Sequence, residues 1–228
     1  MPGPQQRRIG RRLRDHPGRL AVAAETWETI SAERKALAAD LEPLTDDAWQ
    51  TESLCAGRTV RDVLAHMAAT AMITPPTFFA KLAAAGFSFE RMTAKDIAAL
   101  RGATPADTMA TFTSVVDSTK HPPGPVDSWL GETIIHAEDI RRPLGITHAY
   151  PTASVVQLAD FFKGSNLIIG TKRRIDGLSL RATDVTWNHG SGPEISGPIM
   201  SLLMAMTGRK VAIADLTGDG TEVLRSRP

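Results

Sequence analysis

The sequence predicts a mainly helical protein, with a helical part reaching to about residue 145 and a small α/β element behind it. Three observations carry this. Apolar residues recur at helical spacing between residues 20 and 41 and again between 60 and 73. Prolines and glycines in "TPP", "HPPGP" and "RRPLG" cut the first 145 residues into successive helical segments. Past residue 177, "GLSLRATDVTWNHGSGPEISG" has short alternating runs bounded by Gly, Asp and Asn, the pattern of a small antiparallel sheet.

Taken in order, "LAVAAETWETISAERKALAADL" places Val22, Trp27, Ile30, Leu37 and Leu41 on one stripe of a long amphipathic helix. The turn-rich "EPLTDDAWQTESLCAGRTVRD" follows, with Thr59 as cap and Asp62 three residues on as a capping-box partner. The capped helix runs from about Val60 to Ile73. Further helices are expected in "TPPTFFAKLAAAG", "TAKDIAALRG" and "TPADTMATFTSVVDSTK", then in "GETIIHAEDIRRPLG" after the "HPPGP" break. Pro143 and Gly145 stop that segment, and "PTASVVQLADFFKGSNLIIG" begins a new helix with Thr152 as cap. The chain ends with an apolar helix closed by Gly208 and one short helix. The expected division is a disordered basic tail over 1–16, a helical domain over 17–145 and a small α/β domain over 146–228.

A chain of 228 residues, 42% hydrophobic, buries one sizeable core or one larger and one smaller. With 26 basic against 25 acidic residues the formal net charge is +1, too balanced for the basic field of a nucleic-acid binder. The paired arginines of "QQRRIGRRLRDHPGRLAVAAETW" raise a twin-arginine export signal, but "LAVAA" is too short for its apolar region and Glu25 interrupts it. The tail reads as solvated, with binding to an anionic surface as the alternative. No stretch approaches a transmembrane helix. Together with the single cysteine, Cys55, this points to a reducing, cytoplasmic location.

The chemistry concentrates in "GETIIHAEDIRRPLG". Offsets of four and seven residues return to nearly the same azimuth on a helix, so Glu132, His136 and Asp139 share one face. His66 is the other polar anomaly, set among Val63, Met67, Thr70 and Ile73 on a face that should be buried. A lone histidine there reads as a satisfied core residue. Beside a carboxylate and an imidazole one turn apart, it becomes the third ligand of a divalent metal. Two His and one carboxylate leave a coordination position open, which suits catalytic zinc and equally non-haem iron. Asp62 and Asp139, one turn from His66 and His136, are placed to fix the tautomers, with salt bridges to Arg61, Arg141 or Arg142 as the competing role.

Other features carry less. His16, His121, His148 and His189 lie in tail, loop or turn segments and receive no role. Cys55 reads as a buried structural thiol, with a nucleophile as the alternative, because no histidine or basic run adjoins it in sequence. "LTGDGTEVL" lacks the lysine of a phosphate loop.

"SLCAGRTVRDVLAHMA" followed by "GETIIHAEDIRRPLG" resembles the mycothiol-dependent maleylpyruvate isomerase family, whose N-terminal domain is a DinB-like four-helix bundle. "WNHGSGPEISGPIMSLLMAMTGRKVAIADLTGDGTEVL" is similar to that family's small C-terminal α/β domain, so the resemblance covers about residues 20 to 226. It implies a divalent metal, usually Zn2+, on His66, Glu132 and His136. It also implies mycothiol as cofactor or co-substrate and a functional arginine in the C-terminal domain, best matched by Arg209, which could hold a substrate carboxylate. The sequence departs from the pattern at Arg58, where tryptophan is frequent, and at Gly131, where a charged residue often precedes the glutamate.

The activity so implied is that of an isomerase or S-transferase acting on a small electrophile through a thiol. Metal-assisted hydrolysis, and metal or thiol binding without turnover, are the alternatives the same residues allow.

Overall fold

A computed structural model describes residues 16–166 and 169–228, with side chains from residue 21 on. The tail expected to be disordered over 1–16 lies outside the described residues except at His16, which begins the first helix. That helix, α1 (His16–Leu41), leads to α2 (Val60–Met72), α3 (Pro75–Ala84), α4 (Phe89–Leu100), α5 (Pro105–Thr113) and α6 (Val126–Arg141). Beyond residue 145 come α7 (Thr152–Lys163), α8 (Thr171–Ile175), β1 (Ser179–Ala182), β2 (Asn188–Gly190), β3 (Glu194–Gly197), α9 (Ile199–Met206), a 3-10 turn (Lys210–Asp215) and α10 (Gly220–Ser226). The protein is mainly helical with a small C-terminal sheet, as the sequence predicts. No helix among the described residues is long and apolar enough to cross a membrane.

The helix starts follow from local chemistry. Thr59 accepts from the Asp62 N–H while the Asp62 carboxylate takes the Thr59 N–H, so the predicted capping box closes. The same device starts α5 at Thr104 and Asp107, with Pro105 at the first helical position. Thr152 is not a cap: Pro151 occupies that place, with no side-chain hydrogen bond, and Thr152 is already helical.

Helices α1, α2, α5 and α6 surround a core that includes Leu37, Leu64, Met67, Phe112 and Ile140. Ile30, Leu130, Ile134 and Ile135 turn the other way and join Leu158, Ile195 and Leu203 in a second core shared with the C-terminal elements. Apolar packing therefore continues across the Pro143–Gly145 break. Val22, placed on the apolar stripe by spacing, is 57% exposed, because α1 outruns the helices that cover its later turns.

The sheet has the order β2-β1-β3. β1 pairs antiparallel with β2 but parallel with β3, so the sheet is mixed and the antiparallel expectation holds for one pair only. Glycines in "LTGDGTEVL" serve packing: a Cβ at Gly218 would lie 2.2 Å from the Glu194 carbonyl oxygen, and one at Gly220 would lie 2.7 Å from Ile195.

Gly131 has a similar explanation. A Cβ there would fall 2.7 Å and 2.8 Å from the Phe162 ring and 3.4 Å from Leu158, so its absence lets α7 lie against α6 one residue before Glu132.

Candidate metal centre

The face of α6 defined by offsets of three, four and seven residues carries Trp129, Glu132, His136 and Asp139, and α2 faces it with His66. One donor atom each from His66, Glu132 and His136 lies within 4.8 Å of the others. The two imidazoles meet edge to face with ring centroids 5.1 Å apart. The three residues that the helical spacing selects thus come together across two helices.

Glu132 is the anomaly. Both its carboxylate oxygens are shielded from solvent and neither has a hydrogen-bond partner. The nearby Thr70 hydroxyl donates instead to the His66 carbonyl oxygen. Burial pushes the Glu132 carboxyl above its ordinary range, against the opposing pull of His136, Arg34 and the nearby Thr70 hydroxyl. A buried carboxylate without donors is costly unless a cation meets it.

Burial, reinforced by the positive His136 and Arg58, holds His66 down to about 3, so its imidazole is neutral and keeps a lone pair. For His136 burial acts in the same direction but is outweighed. Its Nδ1 lies 2.9 Å from Asp139 Oδ2 and 3.5 Å from Cys55 Sγ, and these partners push it up to about 10. With Nδ1 engaged, Nε2 is the nitrogen left for a ligand bond, the tautomer a carboxylate behind a metal-bound histidine enforces. Asp139 is fully buried; burial would raise its pKa, but Arg209 and His136 hold it well below the usual carboxylate range. Asp139 thus stands beside His136, the histidine it is expected to orient.

Asp62 is placed otherwise. Its carboxylate accepts from the Thr59 N–H and hydroxyl, and Arg101 lies 3.2 Å away, so it caps α2 and pairs with Arg101. One turn of helix puts it on the right azimuth, yet the cap it closes draws it back toward the helix start. Arg209 needs a second correction. Its Nε and Nη2 donate to both oxygens of Asp139 at 2.9 Å and 2.6 Å, and its Nη1 donates to the Thr207 carbonyl. The fork expected to hold a substrate carboxylate is closed on a protein carboxylate.

Cys55 is the residue the sequence reading misplaced. Its Sγ lies 3.1 Å from Asp139 Oδ2 and 3.5 Å from His136 Nδ1, behind the ligand histidine, while the side chain also packs against the helical core. Backbone chemistry brings it there. The Asp139 carbonyl has no helical donor four residues on, because that residue is Pro143, and it accepts instead from the Leu54 N–H at 3.0 Å. The turn itself is fixed by Ser53, which accepts from the Cys55 N–H, and by Gly57 at φ +71°. The one sequence signal was that proline, which frees an acceptor without saying who uses it.

Cys55, His136 and Asp139 form a second group with ligand spacing. Both Asp139 oxygens are already taken by Arg209, whereas those of Glu132 have no partner. The donor set His66, Glu132 and His136 is therefore the one that fits a divalent cation.

Two of the histidines given no role have partners elsewhere. His121 stacks between Trp27 and Trp129, at centroid distances of 5.5 Å and 5.6 Å, and His148 reaches Glu33 at 2.8 Å.

The centre opens into a cavity of about 370 Å³ walled chiefly by apolar side chains, among them Phe78, Phe89, Met92, Trp129, Phe161 and Ile169. Residues 30–121 match the family model of the mycothiol maleylpyruvate isomerase N-terminal domain. The match runs from within α1 to residue 121 and ends before α6 begins. A crystal structure of the mycothiol-dependent maleylpyruvate isomerase is 15% identical, with a TM-score of 0.62 over 87% of this chain and 93% of that one. A histidine-to-alanine mutant of the isomerase gives 14% identity and a TM-score of 0.60 over the same shares. At these identities the likeness is one of fold, and it extends past residue 121 to the C-terminal elements. No curated protein matches the sequence.

Proposed function

We propose that the protein is a divalent-metal-dependent enzyme that uses a low-molecular-weight thiol of the mycothiol type, as isomerase or S-transferase, on a small electrophile. The observation that carries this reading is Glu132: two shielded, unpartnered carboxylate oxygens beside two imidazoles at the base of an apolar cavity. Its family domain is named for a mycothiol-dependent isomerase.

His66, Glu132 and His136 would hold the metal, with Zn2+ the ion that the family resemblance implies and that this donor set accepts. The bound metal supplies a lowered thiol pKa, so that a thiolate is present at neutral pH to attack an electrophilic carbon. The protein residues supply the rest. Asp139 holds the His136 Nδ1 proton and aims Nε2; Arg209 keeps Asp139 ionised and fixed in plane. Glu132 offsets one positive charge inside the cavity. The aromatic wall excludes water that would compete with sulfur as nucleophile. A thiol cofactor also suits a reducing cytoplasm.

The test is elemental mass spectrometry on protein purified without chelator, comparing wild type with His66→Ala, Glu132→Ala and Cys55→Ala. About one metal ion per chain is expected, lost in the first two variants and retained in the third, followed by metal-dependent thiol consumption with an electrophile. A wild type that takes up no metal from excess zinc would sink the reading, and turnover without thiol would favour hydrolysis.

A further inference from the structure

One turn after His66 on α2, Thr70 falls on the same face and lines the cavity together with His66, Glu132 and His136. It is 8% exposed. Its hydroxyl donates to the His66 carbonyl oxygen at 3.2 Å, which is long for a bond between two oxygens. That carbonyl does not depend on it, because the helix already supplies the Thr70 N–H as donor. A threonine hydroxyl turns at small cost from such a back-bond to another acceptor in reach.

The acceptor in reach is Glu132. Burial raises its carboxyl, and three groups oppose burial: His136 and Arg34 through their charge, Thr70 through its hydroxyl. The charged pair is engaged elsewhere. His136 has Nδ1 on Asp139, which leaves Nε2 for a ligand bond. Arg34 is buried on α1 with Nη1 donating to the Ser118 carbonyl, and it is not among the described lining residues. Of the three, Thr70 is the neutral donor, close to Glu132 without being bonded to it.

The ligand count shows what such a donor does. A carboxylate that gives one oxygen to a cation keeps a second, and both Glu132 oxygens are shielded from solvent without a hydrogen-bond partner. The second oxygen either accepts a hydrogen bond or joins the cation as well. Joining would fill the coordination position that a thiol needs. A donor on the second oxygen keeps that position open.

We propose that Thr70 is a positioning residue of the metal centre, an assignment that rests on the metal–thiol reading above. With a cation bound, its hydroxyl leaves the His66 carbonyl for one Glu132 oxygen, so that the other oxygen alone is the ligand and a coordination position stays free for sulfur. The proton remains on Thr70 and no covalent bond changes.

Cobalt(II) is the probe, because its visible bands are intense with four ligands and weaken severalfold with five or six, and a bound thiolate adds a charge-transfer band. Full-length wild type, Thr70→Val and Thr70→Ser are loaded with cobalt(II) and titrated with mercaptoethanol. Wild type should show the intense bands and bind the thiol. Thr70→Val keeps the side chain's shape and loses the donor. Its visible bands should weaken severalfold, and half-saturation should need about tenfold more mercaptoethanol, the effect of losing one hydrogen bond to a charged group. Thr70→Ser should restore both, whereas a packing defect would not be repaired by the smaller serine. Bands and thiol affinity in Thr70→Val equal to those of wild type would overturn the proposal and leave the metal–thiol enzyme standing, as would a Thr70→Ser variant that behaves like Thr70→Val. A wild type that binds no cobalt removes both. Intense bands that weaken in Thr70→Val, in a protein where mercaptoethanol raises no charge-transfer band, would support the role of Thr70 while removing the thiol from the reading.

Discussion

Arg209, from the turn after α9, closes both arms of its guanidinium on Asp139 of α6, at 2.9 Å and 2.6 Å. The pair ties the C-terminal elements to the helix that bears Glu132 and His136, and it is buried on the Asp139 side. Removing one partner strands a charge in the interior. Arg209→Ala should therefore cost about 3–5 kcal/mol in chemical denaturation. The double variant Arg209→Gln with Asp139→Asn should recover much of that loss, because no uncompensated charge remains; a double variant no more stable than Arg209→Ala would contradict it.

Glu132→Gln separates function from stability. The variant should bind no metal, yet its metal-free form should melt higher than metal-free wild type by the equivalent of at least about 1 kcal/mol, since a buried carboxylate without donors opposes folding. Thermal melts with chelator present in both samples provide the comparison.

The metal-free protein should have a stability maximum near neutrality. His66 is held from 6.5 down to about 3 by folding, so the unfolded chain binds more protons in that window and stability falls as pH drops through it. His136 is raised from 6.5 to about 10, so its contribution is full below 6.5 and disappears as pH rises through about 10. Denaturant midpoints across the pH range should show both limbs. His66→Gln should flatten the acid limb and leave the alkaline one.

Gly131→Val should destabilise by about 1–3 kcal/mol, because even the first added carbon would overlap the Phe162 ring. Phe162→Leu in the same chain should return part of the loss, as read from denaturation midpoints.

Much of this was legible along the chain because helical geometry is periodic. Offsets of four and seven residues put Glu132, His136 and Asp139 on one face without reference to anything else, and the capping box at Thr59 and Asp62 is a contact within one turn. What the sequence by itself determined is this local layer: the helices, their polar faces and the candidate ligands. The pairing of β1 with β3 in parallel, the arrival of Cys55 at His136 and the capture of Arg209 by Asp139 link residues 15, 81 and 70 positions apart. Only the tertiary structure decided them. A side chain's partner at long range is set by which backbone acceptors and buried charges remain unsatisfied once the helices pack, and no local period records that.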